Sequence, residues 1–495
     1  MKRLFVFAIG GTGSRVLKSL IMLLSSGIRL GHFELVPIIV DPHKSNLDLK
    51  RTAKLLAYYQ KVREKRGPGE EGFFSTSLKM LNQISEDDDF SSDFTFALDG
   101  VSNQRYKDYI GYSTLDGANK ALASVLFSRN NLETDMDIGF VGNPNLGSVV
   151  LDQFNESKEF THFASSFDDG DRIFIISSIF GGTGAAGFPI ILKNIRNAGL
   201  GVHNSEFLKN APIGAVTLLP YFGVAPKEGT EGPKINKATF MSKTRAALQY
   251  YKANVSGNNS LNAMYYLGES VSKDYENDPG AGGQQNDAHL VELVAALSLI
   301  HFSGLADEDL KTVKGMARDP RYYEYGIKAD KPKDNLSFLD LGDRSHKLLT
   351  RPLTQFLLFR DYMASHMAEA IKRAPFAIKS SPRLDGALLN SAFARDHLEL
   401  IFRAFGDWLE EMGQNKPSFI PFNLSHSRLS DAVREVKTKA NWFGSSAKLD
   451  FKNLEAALNR YEKNQSGYNG PEAKLLDVFY GGTKDLIENY FSNIH

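Results

Sequence analysis

The chain contains no cysteine, which excludes disulfides, thiolate metal sites, iron-sulfur ligation and cysteine nucleophiles. It has no excess of charge either: 58 Lys plus Arg balance 58 Asp plus Glu to a formal net charge of zero. Without a global electrostatic footprint, nucleic acid is not indicated as a partner, nor is anionic lipid. Long hydrophobic runs are missing, since no window approaches the roughly 18 consecutive apolar residues of a membrane-spanning helix. Lys2 and Arg3 before the apolar Leu4 to Ile9 imitate a secretory signal. The run stops at Gly10 and passes into a charged helical pattern, so a cytoplasmic protein with no membrane partner is expected. No internal repeat or low-complexity tract stands out. What remains is an ordinary globular composition, 42% hydrophobic and 23% charged over 495 residues. At roughly 150 residues per domain, that is about three domains' worth of chain.

The first 47 residues read as a strand over Leu4 to Ile9, a glycine turn, a helix over Arg15 to Leu24 and a strand over Phe33 to Val40. Residues 48 to about 135 are more polar, with charged Lys61 to Arg66, the turn Gly67-Pro-Gly69 and the acidic run Glu86 to Asp89. They read as an insertion of helices and solvated loops. Order returns with a short strand at Ile138 to Val141 and a buried one at Arg172 to Ser178, followed by a second glycine loop and an apolar helix through Ile195. Further strands are expected at Ile213 to Leu219 and Leu261 to Leu267, with a helix over Thr239 to Asn254 between them. A strongly apolar helix follows over Asn286 to Ile300. Alternating strands and helices predict an α/β fold with a parallel sheet covered on both faces. From residue 351 the pattern is almost wholly helical, over Leu353 to Arg373, Gly386 to Met412, Leu429 to Val436, Asn453 to Asn464 and Leu475 to Phe491. The expected division is therefore 1–310 as the α/β domain, 311–350 as a connection and 351–495 as a separate α-helical region.

A glycine loop between a buried strand and a helix aims backbone N–H groups and the positive helix end at an anion. The first such loop is Gly10-Gly11-Thr12-Gly13-Ser14, with Val16 where a dinucleotide fingerprint needs its third glycine. The second, Gly181-Gly182-Thr183-Gly184 through Gly187, lacks the lysine of a P-loop. Two such loops from one sheet can converge on a single polyphosphate. Between them lies the polar turn Gly142-Asn143-Pro144 to Gly147, which also reads as a capped helix start. Asp41 stands at the carboxyl end of the second strand, where ligands sit in open α/β sheets.

In this order the motifs resemble the tubulin/FtsZ superfamily of GTPases, most closely its divergent bacterial tubulin-like branch. Gly181 to Gly187 resembles the family's GGGTG(S/T)G loop, with Ala185 and Ala186 as departures. Gly10 to Ser14 resembles its first nucleotide loop, Val40-Asp41 its second, and Gly142 to Gly147 its GANPxxG loop. Val216 to Phe222 is similar to the strand and loop written VTxPF. The resemblance covers roughly residues 1 to 310, and the helical last third does not match the family's second domain.

The resemblance implies binding of GTP or GDP with Mg²⁺, slow hydrolysis, and nucleotide-controlled self-association. It implies base reading by Asn286 or Asp287 ahead of the central helix, where either could instead cap that helix. It places Asp307, Glu308 and Asp309 at the catalytic loop that reaches a neighbouring subunit's nucleotide, although the Asn-x-Asp-x-x-Asp spacing is absent. No protein metal ligands are expected. A rival reading is a non-polymerising regulatory or scaffold protein that keeps nucleotide as a structural ligand and meets a partner protein through residues 351–495. A Rossmann oxidoreductase, with Asp41 on a ribose, is the third.

Overall fold

The computed structural model describes all residues except 42–45, 68, 70, 86–93, 97–100, 102, 137–139, 141–142, 199–203, 226–236, 270–273, 277–285, 326–334, 440–447, 493 and 495. Seven strands build one sheet: β1 (Arg3–Ile9), β2 (Glu34–Val40), β3 (Thr95–Phe96), β4 (Arg172–Ser178), β5 (Ile213–Leu218), β6 (Ala263–Leu267) and β7 (Arg321–Glu324). Their order is β7-β6-β5-β4-β1-β2-β3, and every neighbouring pair is parallel. The principal helices are α1 (Gly10–Ser25), α2 (Leu47–Lys65), α3 (Pro144–Leu151), α4 (Gly182–Arg196), α5 (Lys237–Tyr251) and α6 (Leu290–Ser303). After them come α7 (Asp343–Ser365), α8 (Glu399–Gln414), α9 (Phe451–Glu462) and α10 (Pro471–Tyr490). The α/β class, the parallel sheet and the helical C-terminal region expected from sequence are the architecture of the chain.

The alternation along β1 divides the interior in two. Leu4, Val6 and Ala8 face α1, α2, α6 and the C-terminal helices in one core. Phe5, Phe7 and Ile9 face α3, α4 and the helix Lys158–Ser166 in the other. Covered on both faces, β4 is buried at every position, with the apolar run Ile173 to Ile176 at its centre between Arg172 and the two serines.

Several expectations need correction. The C-terminal helices do not form a separate unit, because their apolar faces share the first core with β1 and α6. Trp408 of α8 donates its indole N–H to Ser19 of α1 at 3.0 Å. The 311–350 segment supplies β7 and the start of α7. Much of the 48–135 insertion belongs to the fold: α2 buries Leu49, Leu55, Leu56, Tyr59 and Val62, and β3 pairs with β2. The charged stretch Lys61 to Arg66 is the end of α2 and its C-cap, Arg66, which is 8% exposed. Gly386 to Met412 is broken into a turn at Gly386–Leu389, a π-helical turn at Phe393–Leu398 and α8. Leu429 to Val436 holds only a short turn, Leu429–Asp431. Apart from Phe140, which lies in a turn, the strand expected at Ile138 to Val141 is outside the described residues.

Candidate functional site

In a parallel sheet all strands end on one edge, and here the chain winds outward in both directions from β1 and β4. That pair is the topological switch point, where an open α/β sheet leaves a crevice. Both glycine loops stand there, directly after β1 and β4. Gly10 has φ of 71°, a backbone that favours glycine, and a Cβ on it would lie 3.5 Å from Thr183 and 3.7 Å from the Gly184 nitrogen. The two loops are therefore in contact. The third turn joins them, since a Cβ on Gly147 would come within 2.8 Å of Ala186 and 3.2 Å of the Gly182 carbonyl.

The loops also repeat each other in a way the sequence reading missed. Both are Gly-Gly-Thr-Gly, Gly10 to Gly13 and Gly181 to Gly184. In each, the fourth glycine lets the helix press on its own strand. A Cβ on Gly13 would sit 2.6 Å from the Ala8 carbonyl carbon, and one on Gly184 would sit 2.8 Å from the Ser178 oxygen. Gly13 and Gly184 thus serve close packing, while Gly11, Gly181 and Thr183 keep partial exposure toward the crevice. Ser14 is fully buried and donates to the Gly10 carbonyl at 3.3 Å, which turns it inward.

Three helix N-termini, of α1, α3 and α4, meet in this crevice. Ile9, Asn143 and Gly181 hold their N-cap positions, and no side-chain cap bond is made by any of them. None of the three has an acidic residue in its first turn. Among the other helices, Asn46 accepts from the Asp48 N–H at the start of α2 and Asp450 caps α9, whereas α7, α8 and α10 also begin without a side-chain cap bond, so it is the meeting of three such ends at one place that sets the crevice apart. The uncapped first turns leave backbone N–H groups and positive helix ends for an anion, with no carboxylate inside those turns; Asp48, beside Gly11, is neutralised by Arg15. Gly142 lies outside the described residues. Pro144 opens α3 at its first position, where its missing N–H costs nothing.

Beside the first loop is a buried charge cluster that sequence reasoning did not find. Arg15, 4% exposed, donates to Glu292 at 2.6 Å, Asp48 at 2.7 Å, Tyr221 at 3.0 Å and Thr12 at 3.3 Å. The Tyr221 hydroxyl donates to the same Glu292 oxygen at 2.6 Å. Burial works against the Arg15 charge, but Tyr221, Glu292 and Asp48 outweigh it and hold the proton above the ordinary arginine range. Burial pushes the Asp48 carboxyl up, against the pull of Arg15. One turn on, Lys18 pairs with Glu411 of α8 at 2.7 Å. Burial lowers the Lys18 pKa despite that pairing. Glu411 also accepts from Arg51 and from the Ala288 N–H. A signal was present: α1 is apolar enough to be buried on nearly every face, so charges at 15 and 18 had to be paired inside.

The start of the central helix lies against this cluster. Asn286 is buried, and Asp287 meets the Tyr275 hydroxyl at 3.5 Å. Neither caps α6, which begins at Leu290: His289 accepts from the Val291 N–H at 3.1 Å, and Glu292 accepts from the His289 N–H at 3.1 Å. His289 packs on Tyr221 at 5.1 Å between ring centroids, which carries the contact chain to Arg15 and Thr12. Asp41 is buried at the end of β2 and accepts from the Asn46 amide at 3.1 Å. Asn46 faces Gly11, whose Cβ would lie 3.2 Å from that amide nitrogen.

Asp307, Glu308 and Asp309 are at the opposite edge of the sheet. Asp307 accepts from Arg172, the first residue of β4, at 2.6 Å, and from Lys2, just before β1, at 3.2 Å. Those bonds hold its carboxyl below the ordinary range. Asp309 pairs with Arg321 at the start of β7 at 2.6 Å. Within one chain these acids do not meet the glycine loops. Among the described residues there is no cluster of three or more His, Asp or Glu able to hold a metal, and no helix long and apolar enough to cross a membrane.

No protein-family model matches the chain, and no curated protein matches its sequence. Fourteen chains of solved structure match. One is CetZ from Methanosaeta thermophila strain DSM 6194, 14% identical with a TM-score of 0.22, over 54% of this chain and 46% of CetZ. The chain thus spans about half the length of that relative. Fold and site together define an α/β protein with a parallel sheet and an anion-suited crevice at its switch point.

Proposed function

We propose that the crevice binds a guanine nucleotide, GTP or GDP, in the manner of tubulin/FtsZ-like proteins, and that the bound state governs self-association. The observation that carries this reading is the meeting of three uncapped helix N-termini, two of them on twin Gly-Gly-Thr-Gly turns. Backbone N–H groups of Gly10, Gly11, Thr12 and Gly13 would hold one side of the phosphates. Gly181, Gly182, Thr183 and Gly184 would hold the other, with Asn143 and Gly142 closing the third. Asn46 stands beside Gly11 and binds Asp41, and this pair would meet the ribose. Asn286 and Asp287 would read the guanine edge. Mg²⁺ would enter with the phosphates and supply charge neutralisation, its remaining ligands being water.

Hydrolysis would need acids from elsewhere, because Asp307, Glu308 and Asp309 are at the far edge of the same sheet. In this reading a second copy presents them to the crevice, where a positioned carboxylate orients the attacking water. A second reading is favoured by the ion pairs of Asp307 and Asp309, which already occupy both acids within the chain. It is a nucleotide-holding regulator that keeps its ligand unhydrolysed and acts through α8, which Glu411 ties to α1.

Competition binding with GTP, ATP and NAD tests the site, with GTP expected to bind tightest. Equal affinities, or preference for NAD, would reject the guanine assignment. Light scattering and negative-stain microscopy with GTP, GDP and no nucleotide then separate the two readings. Growth of filaments with GTP alone supports assembly, and its absence with GTP bound supports the regulator.

A further inference from the structure

Outside the glycine loops, α7 and α8 cross where Phe356 meets Phe402 and Phe405, with centroids 5.3 and 5.1 Å apart, and Phe359 meets Phe402 at 5.0 Å. Beyond the crossing, toward the end of α7 and the start of α8, the helices part around a cavity of about 660 Å³. That is within the range of small-molecule sites, about 300–1,000 Å³. Its floor is apolar, formed by Met363, Ala364, Leu398 and Phe402, and three arginines, Arg360, Arg395 and Arg403, stand around it.

The arginines are unequally satisfied. Arg360 bonds Asp361 at 2.8 Å. Gly406 makes room for it, since a Cβ there would lie 3.1 Å from the guanidinium. Among the described residues Arg403 pairs with Glu399 alone, at 3.5 Å, with both side chains exposed. Arg395 donates to the Asn390 amide oxygen and, among the described residues, meets no carboxylate. A guanidinium has five N–H donors, so Arg395 and Arg403 keep several for a ligand. Against three arginines the lining sets two acids, Asp361 and Glu399, which leaves one net positive charge over the apolar floor. One wall is the π-helical turn Phe393–Leu398, which brings Ala394, Arg395 and Leu398 to the cavity. Such turns are uncommon and recur at functional sites.

We propose that this groove is a second ligand site, for a small amphipathic anion: an apolar chain or ring with one carboxylate or phosphate. The apolar part covers Met363, Ala364, Leu398 and Phe402, and the head group takes the spare donors of Arg395 and Arg403 in charge-assisted bonds. No residue of the glycine loops lines it, so it does not depend on the nucleotide reading.

Isothermal titration of the full chain with decanoate and decyl phosphate tests the proposal, with decanol and decyltrimethylammonium as the neutral and cationic comparisons. Both anions are expected to bind once per chain, decanol about tenfold or more weaker, and the cation weakest of all. Saturating GTP should leave the anion affinity unchanged. The double variant Arg395→Ala with Arg403→Ala removes only exposed side chains, so its circular dichroism should match wild type. It should lose about tenfold in anion affinity and keep that for decanol. Ala364→Trp, filling the floor from an exposed position, should abolish all binding. Equal affinity for decanol and decanoate, an unchanged anion affinity in the double variant, or no anion binding at about 1 mM would overturn the site. Binding of an acidic helical peptide where decanoate fails would assign the groove to a protein partner and overturn it as well.

Discussion

The two edges of the one sheet use charge in opposite ways. At the carboxyl edge, Arg15, Asp48 and Glu292 are sealed inside, each 4% exposed or less, while the backbone N–H groups of three helix ends are left without side-chain caps. At the amino edge, the side chain of Asp307 is 59% exposed and that of Asp309 37%, and both are engaged by arginines of their own chain. One edge hides its ion pairs and keeps its donors, and the other displays ion pairs and has its charges matched. On the reading proposed above, what marks the crevice as a ligand site is hydrogen-bonding groups left over after folding, and less the number of charges nearby.

The sharpest way to break the contrast is to remove a charge from the sealed edge. Arg15→Met keeps much of the side-chain volume but leaves Asp48 and Glu292 buried beside each other without the cation that bonds both. Breaking a buried pair in this way costs about 3–5 kcal/mol, so urea unfolding should show a loss of that order. A loss under about 1 kcal/mol would mean that water reaches the cluster, and the sealed edge would not be sealed.

Next in size is the effect on the donors themselves. Gly182→Val puts a branched side chain on the first residue of α4, where the proposed nucleotide site would need the backbone to approach phosphate. Nucleotide affinity should fall by about 100-fold or more, roughly 2.7 kcal/mol, while circular dichroism keeps the wild-type spectrum. A folded variant with unchanged affinity would make Gly181 to Gly187 a packing turn and no phosphate loop.

A smaller stability effect belongs to the displayed edge. Asp307→Ala with Asp309→Ala removes exposed partners, and Arg172 retains the Phe302 and Leu305 carbonyls as acceptors at 2.9 and 2.8 Å. Exposed pairs contribute about 0–1 kcal/mol, so urea unfolding should shift little. Turnover is the discriminating measurement. With shared sites, GTPase activity per molecule rises with protein concentration and the double variant suppresses it at nearly unchanged GTP affinity. Concentration-independent hydrolysis, or none with GTP bound, would move the weight to the regulator.

What the sequence made legible follows the same division. The strand, glycine turn and helix units could be read because continuous apolar runs and glycines act locally, and β1, β4, β5 and β6 lie where those runs predict. Both glycine loops were legible, but their identity as Gly-Gly-Thr-Gly twins stayed unseen, because a four-residue repeat acquires meaning only when β1 and β4 become neighbours, with Ala8 beside Ile176. His289 was passed over as a cap because Asn286 and Asp287 look like better ones, and the choice was made by Glu292 closing the box three residues on. β7 escaped notice because Arg321–Glu324 is short and polar, a strand made by pairing with β6 more than by its own composition.

The finest test sets two carboxylates of the amino edge against each other by pH. Asp171 is buried and accepts from the N–H groups of Arg3 at 2.7 Å and Asp168 at 3.0 Å. Burial nevertheless pushes its carboxyl up to about 6, whereas Arg172 and Lys2 hold Asp307 below the ordinary range. An acid whose folded pKa is raised binds its proton more tightly in the native state. The Asp171 contribution is therefore greatest below the ordinary 3.8 and is lost as pH rises through about 6. For Asp307 the sign reverses: its contribution is full above that ordinary value and is lost as pH falls through the lower folded one. Relative to Asp171→Asn, wild type should lose a few degrees of Tm between about pH 4 and 7 and then level off. Relative to Asp307→Asn, its Tm difference should stay flat from about pH 5 to 8 and close only below about pH 4. A flat profile for Asp171→Asn would show that the two backbone N–H bonds overcome burial and keep Asp171 ionised. The amino edge would then hold its buried carboxylate charged, as the carboxyl edge holds Arg15, and the contrast between the edges would narrow to exposure alone.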